Sequence, residues 1–341
     1  MDLDVILATR NRCSLLRIAL ESLLRAEVPA GLRVAITVVD NNSSDETAEV
    51  VREFSCYRER PVRYLREPRT GKSYALNAGI RSTTGDLAGF IDDDEQIEAS
   101  WYASVAEAFR DLSLDFIGGP YLPHWAAPAP HWLPRQARGI IGCFEFSDVP
   151  RNYGDELPGA VMFGGNAVIR RPVLDRVGPY RTDLVLHADQ EMFERLLARG
   201  ARGMYLPQLA IYHLIPRERL QKSYFRRWMW RAGPAYAQIH RPPSGVPRIA
   251  GVPRYLFRKM AQSLLRWASP FVVRSRASGC SSPRASSRVS GRASSHESGR
   301  FEAELDLIHC ASLALAHFRM RRSKSNPPRL ADAQRRRNSP C

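Results

Sequence analysis

Short apolar runs alternate with amphipathic helical stretches over roughly the first 120 residues, and a chain patterned this way is confined to a layered α/β fold. Residues 3–8 read as a buried strand, and 14–25 set Leu16, Leu20, Leu23 and Leu24 on one helical face. Residues 33–39 form a second apolar strand ending at Asp40. Ser44 and Asp45 then open a helix whose face continues through Ala48, Val51 and Phe54. A third strand is expected at 62–65, a helix opened by Gly71 at 71–82, and a fourth strand at 87–91. That strand runs straight into Asp92-Asp93-Asp94, and another helix follows at 99–109. Repeated units of this kind predict a mostly parallel sheet with helices on both faces. Ligands of such sheets sit at the carboxyl ends of the strands, where Asp40 and the aspartate run both fall.

Residues 120–160 are rich in Pro, Trp and Gly and read as a long loop or flap. A strand at 163–170 carries Gly164-Gly165-Asn166, a helix at 189–199 is stopped by Gly200, and short strands follow at 204–206 and 209–213. The pattern changes past 217. Residues 254–273 suit a basic amphipathic helix, with Leu256, Met260, Leu264, Trp267 and Phe271 on one face and Arg258, Gln262 and Arg266 on the other. Ser/Arg/Gly-rich residues 275–300 have almost nothing to bury and are expected to be disordered. Residues 301–319 return to helix, with Phe301, Leu305, Ile308, Leu315 and Phe318 in phase. The expected organisation is a catalytic domain over 1–216, a helical extension over 217–274, the linker, a terminal helix over 301–322 and a polar tail over 323–341.

The 341 residues, 44% of them hydrophobic, can bury a real core. The net charge of +15 is largely a property of the tail: residues 271–341 carry 14 Lys/Arg against 5 Asp/Glu. Only four basic residues are lysines (Lys72, Lys222, Lys259 and Lys324), a skew that genomic base composition alone can produce. The six scattered cysteines form no C-x-x-C pair and have no histidine at zinc spacing, which fits a reducing compartment. The opening apolar run is too short for a signal-peptide core, and no stretch is long enough to span a membrane.

Three adjacent aspartates after a buried strand repel one another and need a cation or a solvated turn. Mg²⁺ or Mn²⁺ would satisfy them and bridge carboxylates to a diphosphate, acting as a Lewis acid for a phosphate leaving group. The plainer alternative is a solvated acidic loop or helix cap.

Six segments, in order and at sensible spacing, resemble family 2 glycosyltransferases of the GT-A fold, over roughly residues 3–240. They are the opening strand with Thr9-Arg10-Asn11-Arg12; residues 38–45 around Asp40; Gly71-Lys72 with Ala75, Asn77 and Gly79; Phe90-Ile91 with the aspartate run; Phe163-Gly164-Gly165-Asn166; and Ala188-Asp189-Gln190-Glu191 with Arg195-Leu196. The resemblance implies an inverting transfer from a nucleotide-sugar, most often a UDP-sugar, to an acceptor hydroxyl. It places Asp40, Thr9 and Arg10 at the base or ribose, Lys72 near base or diphosphate, and Asp92 with Asp93 at the donor. Asp94 becomes the metal ligand, with His213 a candidate to join it. Gly164, Gly165 and Asn166 fall on the acceptor side, and Asp189 is the general base. Ala188 stands where the family is usually acidic, so Glu191 competes for that last role.

Each position also has a bland reading. Asp40 could cap a turn with Asn41 and Asn42, and Lys72 could be an exposed helix start. Gly164-Gly165 could be a bulge. Asp189 could be a carboxylate favoured by the helix dipole, and His213 a satisfied core histidine. Processive relatives carry Q-x-x-R-W and several spans. Here Gln221 and Arg227-Trp228 are too far apart and spans are absent, which points to single addition of the bacterial, non-processive type. The expected acceptor is a surface glycan or a lipid-linked saccharide, reached from the cytoplasm with peripheral contact to an anionic inner leaflet. Against this stand three alternatives: polyanion binding by the Arg-rich tail, with no specific nucleic acid; a nucleotidyltransferase, for which Thr9-Arg10-Asn11-Arg12 lacks the glycine of a phosphate loop; and a non-catalytic sugar-nucleotide binder.

Overall fold

The computed structural model describes residues 1–57, 59–240, 242–277 and 289–325. The chain divides into two compact units, one of Met1–Pro130 with Arg135–Gln221, the other of His131–Pro134 with Lys222–Cys341.

The first unit opens with the expected alternation: β1 (Asp2–Thr9), α1 (Cys13–Arg25), β2 (Arg33–Asp40), α2 (Thr47–Phe54), β3 (Val62–Arg66), α3 (Lys72–Ser82) and β4 (Leu87–Asp92). There follow β5 (Glu95–Ile97), α4 (Trp101–Ala108), β6 (Phe116–Gly118), β7 (Tyr121–Trp125), a 3-10 turn (Arg135–Ile141) and β8 (Arg151–Asn152). The stretch expected to be loop over 120–160 therefore carries two strands. The unit continues with β9 (Asn166–Arg170), α5 (Arg171–Val177), α6 (Ala188–Ala198), β10 (Gly203–Tyr205), β11 (Ile211–Ile215) and a second 3-10 turn, Arg217–Leu220.

Eight strands form one sheet in the order β3-β2-β1-β4-β9-β6-β10-β8. The β3-β2-β1-β4 half is wholly parallel, and β9 runs antiparallel to both β4 and β6. Alternation along β1 explains the layering. Val5 and Leu7 pack with α1, α2 and α4 residues such as Leu16, Val51 and Trp101 on one face. Ile6 packs with Leu76, Phe193 and Leu196 of α3 and α6 on the other. Gly79 lets α3 lie close to β1, since a Cβ there would come within 2.4 Å of Ile6 Cγ2. A smaller sheet sets β11 between β5, antiparallel, and β7, parallel.

The second unit is built from α7 (Lys222–Ile239), a short hairpin of β12 (Arg248–Ile249) and β13 (Val252–Pro253), α8 (Arg254–Ala277) and α9 (Val289–Ser325). Its core joins Ala237, Val252, Leu256, Cys310, Leu313 and Ala316. Trp132 meets Phe225 and Phe301 edge-on, at 5.5 and 5.0 Å between centroids. Ion pairs Lys222–Glu297, Arg226–Glu304 and Arg266–Asp306 tie the helices at 2.6–2.7 Å. α9 starts at Val289, so residues 289–300, expected to be disordered, are helical. Residues 278–288 and 326–341, the rest of the expected linker and tail, lie outside the described residues. The predicted apolar face of α8 is only partly what packs: Leu256 is buried and Met260 joins the core, whereas Leu264 is 50% exposed. Phe257 and Leu265 also face outward. Among the described residues no helix is long and apolar enough to cross a membrane.

Candidate active site

The parallel strands bring three predicted loops to one edge of the sheet. In register, Thr9 lies beside Asp40 and Ala8 beside Asp92. Asn11 links the first two loops, taking the Ser44 N–H at 2.7 Å on its side-chain oxygen and giving its own N–H to Ser43 Oγ at 3.0 Å. Asp45 accepts the N–H groups of Cys13 and Thr47, satisfying donors at the start of α1 and α2 together. Asp40 is buried and accepts the Ser43 N–H at 2.8 Å and the Tyr64 hydroxyl at 2.6 Å. Burial, with that bond, pushes the Tyr64 hydroxyl up to about 12. One lone pair of the Asp40 carboxylate is thus taken by the turn and one by Tyr64 of β3, which leaves two unused by these bonds.

Each aspartate of the run has its own cation. Lys72 Nζ, at the first turn of α3, stands 2.5 Å from the Asp92 carboxylate. Arg12 Nη1 donates to Asp93 at 2.8 Å and to Asp94 at 3.3 Å. Arg219 donates to Asp94 at 3.0 Å. Thr9 is buried, and its hydroxyl is spent on Asp93 Oδ2 at 2.8 Å. Arg10 is exposed, so it is the second arginine of the loop, Arg12, that meets the carboxylates. Burial works against the Asp94 charge, but the neighbouring Arg219 and Arg12 guanidinium groups hold this carboxyl well below the usual range. Asp93 goes the other way, raised by burial and by the neighbouring Asp94 charge. Burial also opposes the Lys72 charge, and the Asp92 carboxylate more than restores it, lifting Lys72 above its ordinary value. The repulsion within the run is therefore met by side chains, and repulsion alone does not call for a metal.

His213 makes a stronger case. It sits on β11 directly across from Glu95, and the Leu214 N–H donates to the Asp94 carbonyl at 2.9 Å. His213 Nδ1 is 3.1 Å from the Gly142 carbonyl, which can only accept, so the proton belongs on Nδ1 and a lone pair on Nε2. That bare nitrogen is 3.5 Å from Asp94 Oδ2. A buried imidazole held in one tautomer by a backbone carbonyl, its unprotonated nitrogen beside a carboxylate, is how proteins present a metal ligand. Among the described residues no cluster of three or more His, Cys, Asp or Glu side chains is placed to hold a metal. The protein offers a pair, and Mg²⁺ and Mn²⁺ are commonly held by one or two side chains completed by substrate phosphates.

The glycine pair separates two carboxylates. A Cβ on Gly165 would come within 2.2 Å of Glu95 Oε1, and one on Gly164 within 3.0 Å of Asp189 Cβ. Close approach, rather than a simple bulge, accounts for both glycines. Asp189, in the first turn of α6, accepts the Gln190 N–H at 2.9 Å and, weakly, the Gly164 N–H at 3.4 Å. Glu191 is turned away into a bidentate pair with Arg195, at 2.8 and 3.1 Å. Asn166, expected on the acceptor side, is fully buried. It accepts the Trp101 indole N–H at 2.9 Å and donates to the Leu209 carbonyl at 2.7 Å. Its role is to tie β9 to α4 and to the loop before β11.

Three residues of the site had no role in the sequence reading. Glu95 is buried, accepts the Asp92 N–H at 2.8 Å, and is pushed well above the ordinary range by burial and the Asp92 charge. Its signal was its place directly after the run. Arg12 lay inside a recognised loop, while Arg219 had no local signal at all. A separate cavity lined by Asp2, Asp4, Glu27, Arg33 and Arg60 opens among residues at the amino-terminal ends of the strands, away from every candidate residue.

The chain is similar in sequence and fold to known glycosyltransferases. The chain is 24% identical over 243 residues to the succinoglycan biosynthesis protein ExoM of Rhizobium meliloti, covering 70% of this chain and 75% of that one. It is 26% identical over 159 residues to a glucosyl-dolichyl phosphate glucuronosyltransferase of Haloferax volcanii, covering 46% of this chain and 49%, about half, of that relative. The fold is similar to that of the mannosyltransferase PcManGT from Pyrobaculum calidifontis, solved with GDP-Man and Mn²⁺. The TM-score is 0.57 at 16% identity, over 92% of this chain and 86% of that one. It is also similar to S. aureus TarS 1-349 in complex with UDP, with a TM-score of 0.51 at 15% identity over 95% and 92%. Residues 4–178, half of the chain, match the family described as Glycosyl transferase family 2. The chain therefore belongs to glycosyltransferase family 2, a nucleotide-sugar-dependent glycosyltransferase built on the GT-A fold.

Proposed function

We propose that the protein is an inverting, divalent-metal-dependent glycosyltransferase that adds a single sugar to an acceptor hydroxyl. The observation that carries this reading is the convergence of Lys72, Asp92, Asp94 and Asp189 beyond the carboxyl ends of the strands, with His213 reaching them from the smaller sheet and, among the described residues, no ion pair to the Asp189 carboxylate. Asp40 would bind the base or ribose of the donor through its two remaining lone pairs, and Asp92 with Lys72 would lie toward the ribose and diphosphate. Asp94 and His213 Nε2 would hold Mg²⁺ or Mn²⁺. When bound, such an ion acts as a Lewis acid for the departing diphosphate. Asp189 would accept the acceptor's hydroxyl proton as that oxygen bonds to the anomeric carbon. The bond from that carbon to the diphosphate oxygen breaks on the opposite side, so the configuration inverts. A carboxylate held by backbone N–H groups suits a base needed only as the new bond forms. Glu191, occupied by Arg195, is the weaker candidate for this role.

A UDP-sugar is the donor to test first, with GDP- and dTDP-sugars as alternatives. Similarity to a succinoglycan biosynthesis protein and to a glucosyl-dolichyl phosphate glucuronosyltransferase supports a polysaccharide intermediate or a lipid-linked saccharide as acceptor. For such an acceptor we propose peripheral attachment to an anionic inner leaflet through α8. Its exposed Phe257, Leu264 and Leu265 stand among Arg254, Arg258 and Arg266. Co-sedimentation with phosphatidylserine vesicles, absent at every salt concentration, would remove this attachment.

The donor site is tested by the melting temperature of the purified protein with Mn²⁺ or Mg²⁺ and UDP, GDP or dTDP. A ligand that binds the folded state raises it by mass action. Metal-dependent stabilisation by one nucleotide, lost in Asp94→Ala, is the expected result. No stabilisation by any of the three would overturn the reading.

A further inference from the structure

Arg219 lies on the 3-10 turn Arg217–Leu220 that leaves β11, and its side chain is four-fifths covered. One guanidinium nitrogen donates to His213 Nε2 at 3.1 Å and the other to Asp94 Oδ2 at 3.0 Å. These acceptors are the two atoms best placed to bind a divalent ion. Both ends of the fork are acceptors: Nε2 must accept because a guanidinium only donates, which agrees with Nδ1 facing the Gly142 carbonyl, and Asp94 is 91% covered. Nε2 has a single lone pair, and while it receives an arginine N–H it cannot coordinate a metal. The fork and the ion therefore exclude each other at His213 by that shared lone pair, and oppose each other at Asp94 by like charge. Arg12 differs, because it touches Asp94 at 3.3 Å but is anchored by Asp93 at 2.8 Å.

We propose that Arg219 is a built-in counterion that closes the metal position in the ligand-free protein. Metal and nucleotide then bind as a mutually dependent pair. A divalent ion alone must displace the Arg219 N–H from His213 Nε2 and sit beside the guanidinium at Asp94. A nucleoside diphosphate bound at the same edge supplies fresh anionic oxygens for the released guanidinium as well as ligands for the ion. Linkage requires the dependence to run both ways. This inference rests on reading Asp94 and His213 as metal ligands.

The test is a Mn²⁺ titration followed by electron paramagnetic resonance, on the full chain without acceptor, with and without UDP, GDP or dTDP. The parent should bind Mn²⁺ weakly alone and more tightly with the nucleotide it accepts. Arg219→Met should bind Mn²⁺ alone about tenfold tighter than the parent, with the nucleotide's enhancement reduced by a similar factor. Arg12→Met removes a positive charge from the same carboxylate without freeing His213, and should give a clearly smaller gain. Arg219→Gln repeats the test should the methionine variant fold poorly. Unchanged or weaker Mn²⁺ binding in the Arg219 variants, with nucleotide enhancement intact, overturns the counterion. An equal gain in Arg12→Met overturns it too, reducing the effect to net charge. Failure of the underlying metal reading looks different: the parent would bind no Mn²⁺ with any nucleotide, and Asp94→Ala would change nothing.

Discussion

Asp94 and Asp189 flank the same glycine-lined edge of the sheet, yet the fold treats their charges differently. Asp94 is covered by Arg219, Arg12 and His213, at 3.0, 3.3 and 3.5 Å. Asp189 is held through backbone N–H groups at the start of α6 and lies next to Gly164. A carboxylate surrounded by cations has its proton affinity driven down and exchanges one cation for another. A carboxylate held by N–H dipoles keeps its orientation and can still take a proton. On the proposed function this contrast corresponds to charge handling at the Asp94 end and proton handling at the α6 end, with Lys72 close enough to interact with both Asp92 and Asp189.

The largest effect that can break this division is expected from Asp189→Asn. The amide keeps the size of the side chain and loses the base, so kcat should fall roughly 1,000-fold, within the range for a lost general base. That is about 4 kcal/mol of barrier. Metal-dependent nucleotide binding, read by melting temperature, should stay within about twofold, because the variant leaves the Asp94 end untouched. Loss of nucleotide binding together with kcat would place Asp189 among the cation holders and end the distinction.

The Asp94 end was legible in part and the α6 end more fully, for physical reasons. The β-α alternation fixes which loops share an edge, so Asp40 and the aspartate run could be brought together from pattern alone. Asp189 could be placed at a helix start for the same reason. His213 could be singled out, but not its tautomer, which depends on the Gly142 carbonyl 71 residues away in sequence. Arg219 reaches across 125 residues to Asp94, and no spacing rule spans such a gap. The partners of Thr9 and Asn166 were not legible, for a different cause. A motif marks where a residue stands, while burial decides whether its polar atoms face a ligand or another part of the protein. The strands of the 120–160 region were hidden because their pairing partners, β10 and β11, lie far along the chain.

Asn166→Ala sharpens the comparison from the structural side. It would leave the buried Trp101 indole N–H and the Leu209 carbonyl without their partner. Two such orphaned groups should cost about 2–4 kcal/mol of stability in a urea titration. The surviving folded protein should keep its acceptor KM within about twofold, as expected when no transition-state or substrate contact is lost. A variant as stable as the parent but with a raised acceptor KM would return Asn166 to the acceptor side.

Glu191→Gln is the smallest effect and the most direct check on the base. The Glu191–Arg195 pair spans one helical turn, with side chains 14% and 20% exposed. Without the carboxylate, Arg195 still donates to the Val177, Gly178 and Pro179 carbonyls, so its charge is not left bare. The loss should therefore lie near that of an exposed pair, about 1 kcal/mol. For a unit of this size that is a drop in melting temperature of about 2–4 °C. Because Glu191 is committed to Arg195 rather than to the sheet edge, kcat should change by less than about threefold, far short of a lost base. A kcat loss matching that of Asp189→Asn would mean that Arg195 releases Glu191 during turnover. The α6 end would then hold its base behind a cation, as Asp94 and His213 stand behind Arg219.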